Sequence, residues 1–146
     1  MILPFQNDGN LPPGIHWATW DEIVASFGAT AWRQALLNGL KAALEEFRRS
    51  GCQTFYIDGS FVTEKDDPGD FDACWENAGV DPTVLDPVLL TFDRGRATQK
   101  AKYRGEMFPA SAEAIPGGRT FFEFFQIDKD TGDPKGIIAL DLGGLK

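Results

Sequence analysis

Histidine and cysteine are nearly missing from this chain: one His and two Cys in 146 residues. Cys52, Cys74 and the lone His16 do not make a zinc pattern, and two cysteines are too few for a disulfide framework. The expectation is a pair of small, buried, reduced thiols. Basic residues are also scarce, 14 against 22 acidic ones, for a net charge of −8. General nucleic-acid binding, driven by phosphate neutralisation, does not suit that balance. A local basic patch, or a nucleotide carried with a metal ion, remains compatible with it. No run of 18 apolar residues occurs, and the N-terminus has no basic-plus-apolar leader. The reading is a cytoplasmic protein with no membrane segment.

What is present describes a folded domain. Hydrophobic residues make up 42% and aromatic residues 12% of the chain, enough for a real core and unlike a disordered segment. Sixteen glycines and nine prolines imply long connections. The length favours a single domain over residues 1–146, with residues 1–18 as an extended arm packed on the body through its apolar side chains.

Thr19 and Glu22 have capping-box spacing and predict a helix from about Trp20 to Phe27. Thr30 caps a second helix, in which Trp32, Leu36, Leu40, Ala43, Leu44 and Phe47 recur every three or four residues. Arg48, Arg49 and Gly51 suit its C-terminal end. Residues 54–58 (TFYID) and 70–75 (DFDACW) read as strands, and a short helical region ends at Leu90. Residues 94–104 read as a basic helix and 109–118 as loop. Residues 120–128 (TFFEFFQID) read as a strand, joined by a hairpin turn to a last strand at 137–142. The fold class expected is α+β: a small mixed or antiparallel sheet of about four strands with helices mainly on one side.

The chemistry concentrates in DGSFVTEKDDPGDFD, residues 58–72. Strand alternation points Asp70 and Asp72 the same way, with Cα atoms roughly 7 Å apart. Two such carboxylates repel unless a divalent cation joins them, and Mg²⁺ takes one or two carboxylates plus substrate phosphates. Gly59 lets backbone approach a ligand closely, and Ser60 adds a hydroxyl donor, so this step can hold phosphate. Lys65 is the local compensation for Glu64, Asp66 and Asp67. Glu123, set among four phenylalanines, is the first candidate for a third carboxylate, because an acid there is costly unless paired or metal-bound. Asp128 is the second. Lys100 and Arg104, four residues apart on one helix face, could steer a nucleotide. Each feature also has a plainer reading: DDPGD as turn chemistry, Glu123 as a solvent-facing strand residue, the basic run as a solvated helix face, His16 as a structural hydrogen-bonder.

The succession IDGSF, a ten-residue connection, DFDACW and later FFEFF resembles the nucleotidyltransferase superfamily of the DNA polymerase beta type, in its minimal single-domain form. The segments LPPGIH, YIDGSFVTEKDDPGDFD, QKAKY, EFFQ and PKGI make the whole chain similar to an uncharacterised family of small bacterial proteins with such a core. The resemblance implies Mg²⁺ (or Mn²⁺) on Asp70, Asp72 and Glu123, and a nucleoside triphosphate held by Gly59 and Ser60. It implies transfer of a nucleoside monophosphate to a hydroxyl on a protein, an RNA end such as tRNA, or a small molecule. Such proteins accompany regulators in what look like toxin–antitoxin or phage-defence modules. The alternative is a catalytically inactive interaction or antitoxin module on the same fold.

Overall fold

In the computed structural model, which describes residues 2–65 and 67–145, the two capped helices form where the local signals place them. Helix α1 spans Trp20–Phe27. Thr19 Oγ1 accepts the Glu22 amide at 3.2 Å while Glu22 Oε1 accepts the Thr19 amide at 3.1 Å, the reciprocal box that satisfies two helix-end donors. Helix α2 spans Ala31–Arg49, and Thr30 accepts the Arg33 amide at 3.0 Å. Its stripe of Leu36, Leu40, Ala43, Leu44 and Phe47 is fully buried. Each large apolar side chain so buried contributes about 1.5–3 kcal/mol. The stripe therefore outweighs any difference in helix propensity in setting how α2 lies.

Five strands make one mixed sheet: β1 (Gly14–Trp17), β2 (Thr54–Asp58), β3 (Phe71–Trp75), β4 (Gly105–Pro109) and β5 (Gly136–Asp141), in the order β1-β5-β2-β3-β4. The pairs β1–β5 and β3–β4 are parallel, and β2 is antiparallel to both β3 and β5. A seven-residue helix α3 (Ala97–Tyr103) precedes β4, and a short helix α4 (Phe121–Phe124) comes after it. The fold is thus mixed α/β with five strands, one more than expected.

Two local expectations are corrected, and one strand was not foreseen. The N-terminal arm packs on the body as expected, with Leu11 buried, but it also contributes edge strand β1. His16 on β1 is buried and donates from Nε2 to Pro12 O at 2.6 Å, the structural role expected of it. Residues 105–109 (GEMFP) form β4, the opposite edge, where a terminal proline costs no ladder hydrogen bond. Residues 120–128 are not a strand. Thr120 and Glu123 form a second capping box, with Thr120 N to Glu123 Oε1 at 3.0 Å and Glu123 N to Thr120 Oγ1 at 3.2 Å. Phe121, Phe122, Phe124 and Phe125 have the one-three-four spacing of a helix turn as much as the alternation of a strand.

The two sheet faces differ. Phe55, Ile57, Phe71, Ala73, Trp75, Met107, Ile138 and Leu140 pack with the buried side chains of α1, α2 and Tyr103 of α3. Tyr56, Cys74, Ile137 and Ala139 pack with Phe125 and the flanking Phe108, Phe121 and Phe122 on the other side. Cys52 and Cys74 are free and buried, as expected.

Candidate active site

Alternation along β2 puts Asp58 on the same face as Tyr56, at the strand's end. Register then does what no single segment reveals. Asp58 lies directly opposite Asp72 on β3, and Asp72 directly beside Glu106 on β4. Three carboxylates form one row across three adjacent strands, and Asp70 enters from the residue just before β3.

Gly59 makes the next contact. Its φ of 87° is a left-handed value that suits glycine. A Cβ there would lie 2.8 Å from Asp72 Oδ2, so the backbone of the Gly-Ser step rests on the central carboxylate. Ser60 opens a 3₁₀ turn over Ser60–Val62, closed by Thr63 Oγ1 donating to Ser60 O at 2.6 Å. Helix α2 clamps this turn and the loop after it. The buried guanidinium of Arg33 donates to Phe61 O (2.6 Å), Thr63 O (2.8 Å) and Lys65 O (2.5 Å). Trp32 Nε1 donates to Pro68 O at 2.5 Å.

The row carries positive charge at both of its ends. Lys135 Nζ is 3.0 Å from Asp58 Oδ1. Arg96 holds Glu106 Oε1 through Nε (2.8 Å) and Nη2 (2.7 Å), with Lys100 Nζ at 3.5 Å. No cation is paired with Asp72 between them among the described residues. Burial raises the Asp72 carboxyl most, reinforced by its hydrogen bond to Glu106 and by the charges of Asp70, Glu106 and Asp58; it is pushed up to about 8. Glu106 goes the other way. Burial works to raise it, but hydrogen bonds from Asp72 and Arg96 and the charges of Arg96 and Lys100 hold it below the ordinary range. Burial and neighbouring negative charge thus favour the neutral form of Asp72, while Arg96 and Lys100 favour the ionised form of Glu106. Asp58 is raised by burial, with Lys135 opposing, and Asp70 by burial and then by Glu106.

These groups open onto one cavity of about 640 Å³. Asp58, Gly59, Ser60, Asp70, Asp72 and Glu106 line one part of it. Phe108, Phe121, Phe124, Phe125 and Ile127 give it an apolar wall, and Lys65, Lys129 and Lys135 add positive charge. A larger groove of about 750 Å³ lies by Glu46, Arg49, Asp86 and Lys102. Four of its charged side chains are already paired, Arg49 2.7 Å from Glu46 and Lys102 2.5 Å from Asp86. The smaller cavity, where acid is in excess and partly desolvated, is the better candidate for chemistry.

Of the residues expected at a site, Gly59, Ser60, Lys65, Asp70 and Asp72 share this cavity. Asp66 lies outside the described residues. Lys100 reaches Glu106 but does not line the cavity, and Arg104 caps α3 with its guanidinium over Trp32. Glu123 is corrected: it is exposed, spends its carboxylate on the Thr120 cap and lies outside the cavity lining. Glu106, beside Asp72 on β4, lines the cavity and is an acid that the local sequence did not single out. Asp128, the second candidate, lines the cavity and accepts from Asn10 Nδ2 at 3.0 Å.

The donor set suits a hard cation: every candidate ligand is oxygen, and Mg²⁺ needs only one or two protein carboxylates when substrate and water complete its shell. Among the described residues, no group of three or more His, Cys, Asp or Glu side chains is set to hold a metal ion. Of Asp58, Asp70, Asp72 and Glu106, only Asp70 and Asp72 have no lysine or arginine within ion-pair distance among the described residues.

Residues 3–141 match a family of unknown function (DUF6932). The chain belongs to that family. The matched span includes every residue that lines the cavity. No curated protein and no solved structure matches the chain. No helix among the described residues is long and apolar enough to cross a membrane.

Proposed function

We propose that this protein is a nucleotidyltransferase that moves a nucleoside monophosphate from a triphosphate to a hydroxyl acceptor. The observation that carries the reading is the row Asp58–Asp72–Glu106, with the Gly59 backbone against Asp72 and Asp70 at the same cavity. The likeness to the polymerase-beta-type superfamily shares the Gly-Ser step after one strand and the Asp-x-Asp pair on the next; in this proposal Glu106 takes the third-acid role that the resemblance gave to Glu123.

In this reading Asp70 and Asp72 hold Mg²⁺ or Mn²⁺, which when bound neutralises charge on the phosphate under attack. Gly59 and Ser60 cradle the phosphates. Glu106, held by Arg96 and Lys100, stands beside Asp72 on the neighbouring strand and completes the acidic row. The phenylalanine wall offers an apolar surface to a base. The acceptor is a hydroxyl on a tRNA end, a protein or a small molecule.

The test is a screen of labelled nucleoside triphosphates with Mg²⁺ or Mn²⁺ against total tRNA and cell lysate. Label transfer that is lost in Asp70→Asn and Asp72→Asn supports the reading, and absence of transfer to every acceptor class defeats it.

A second reading is favoured by one observation: Glu106 is already held by Arg96 and Lys100. On this view the fold is a non-catalytic interaction module, such as the antitoxin of a toxin–antitoxin pair, whose acidic surface meets a basic partner. It predicts complex formation with no turnover of any nucleotide.

A further inference from the structure

Lys135 stands directly before β5, far in sequence from Gly59 and Asp70, yet it lines the same cavity. Its Nζ lies 3.0 Å from Asp58 Oδ1, and the two side chains are only 17% and 5% exposed. A buried pair of this kind adds little to stability, because the cost of desolvating both charges offsets their attraction. Its effect on position is larger. Asp58 immediately precedes Gly59, so the pair ties an ammonium beside the Gly59–Ser60 step. Lysine has three N–H donors and no acceptor, so one carboxylate contact leaves donor capacity for a second anion.

The other cations near the acids are placed differently. Arg96 and Lys100 are committed to Glu106 at the far end of the row. Lys65 and Lys129 are exposed, where water competes for their charge. Lys135 is the partly desolvated ammonium of the cavity, held in place by the Asp58 carboxylate. A cavity lined by Asp58, Asp70, Asp72 and Glu106 repels a triphosphate unless positive charge stands close by.

We propose that Lys135 is a phosphate-binding residue of this cavity, with Asp58 as the positioning residue that holds its ammonium beside Gly59 and Ser60. The ligand class is the polyphosphate chain of a nucleotide. The nucleoside part rests on the nucleotidyltransferase reading; the phosphate part does not.

The test is isothermal titration of the full chain, in excess Mg²⁺, with the four nucleoside triphosphates, their monophosphates and inorganic tripolyphosphate. Lys135→Gln is expected to weaken triphosphate and tripolyphosphate binding by about tenfold to a hundredfold, the usual loss for one charged hydrogen bond. Monophosphate binding should fall far less, Lys135→Arg should keep most of the affinity, and Asp58→Asn should give an intermediate loss. A lysine that only neutralises Asp58 would lower the melting temperature without changing the dependence on phosphate number. Equal losses for mono- and triphosphates, or none, overturn the proposal. Should Lys135→Gln fail to fold, the double variant Asp58→Asn/Lys135→Gln removes both charges and is read in the same way. Wild-type binding of tripolyphosphate with refusal of all nucleotides, if lost in Lys135→Gln, would support Lys135 and defeat the nucleotidyl reading. No binding of any phosphate by the wild type overturns both.

Discussion

The two faces of the one sheet are built from alternate residues of the same strands and meet opposite demands. Toward α1 and α2, Phe55, Ile57, Phe71, Ala73 and Met107 are wholly buried apolar side chains. Toward α4, the same strands offer Tyr56, Cys74 and Phe108 and then, one row on, Asp58, Asp72 and Glu106. One face stabilises. The other sets a buried acid, Asp58, beside two half-buried ones, which by itself disfavours folding. A chain that accepts this cost within two residues of a well-packed core has the cost localised at a cavity, where a ligand can offset it.

The sharpest break in this comparison comes from the apolar face. Phe55→Ala, at a fully buried ring packed on Phe47, should cost about 3–5 kcal/mol by urea unfolding. Cation and nucleotide affinity, measured where the variant remains folded, should be little changed. Gly59→Ala should cost less, about 1–3 kcal/mol from the left-handed φ. Its methyl would push on Asp72, so Mg²⁺ binding by titration should fall with it. An unchanged affinity would detach Gly59 from the site.

Asp72→Asn should have the opposite sign to both. The folded-state carboxyl is raised to about 8, against about 3.9 when unfolded. Its contribution to stability is fully present below about pH 4 and is lost as pH rises through about 8. In chelator, wild-type melting temperature should therefore fall across that window, apart from the contribution of Glu106, which is lowered and acts at more acid pH. Asp72→Asn should flatten the fall and melt higher than wild type at about pH 8. Mg²⁺ should raise the wild-type melting temperature and leave the variant unmoved. A variant that melts lower there would show that Asp72 is structural. The smallest effect belongs to Glu123→Gln: a slight drop in melting temperature from the weakened α4 cap, with Mg²⁺ binding intact. A lost Mg²⁺ response there would restore Glu123 to the site.

Periodicity and capping made α1, α2, β2, β3 and β5 readable, because those signals lie within a few consecutive residues. The same reasoning misread 120–128. The Thr-x-x-Glu spacing that places α1 also occurs at Thr120 and Glu123, but four phenylalanines around one acid fit a strand's alternation as well as a helix turn. Asp58 stands inside the DGS motif and passes for the polar end of a strand. Glu106 sits in GEMFP, too short and mixed a segment to show a period, and Arg33 looks like an exposed position at the start of α2.

Local chemistry by itself determined a Gly-Ser turn after one strand and an acid pair opening the next. Which acid joins them was settled by strand neighbourhood. A sheet's register pairs residues 14 and 34 positions apart, as Asp58 with Asp72 and Asp72 with Glu106, and no window of consecutive residues contains that information. Lys135 arrives by the same route, through a fifth strand whose partner is chosen by how the whole core packs.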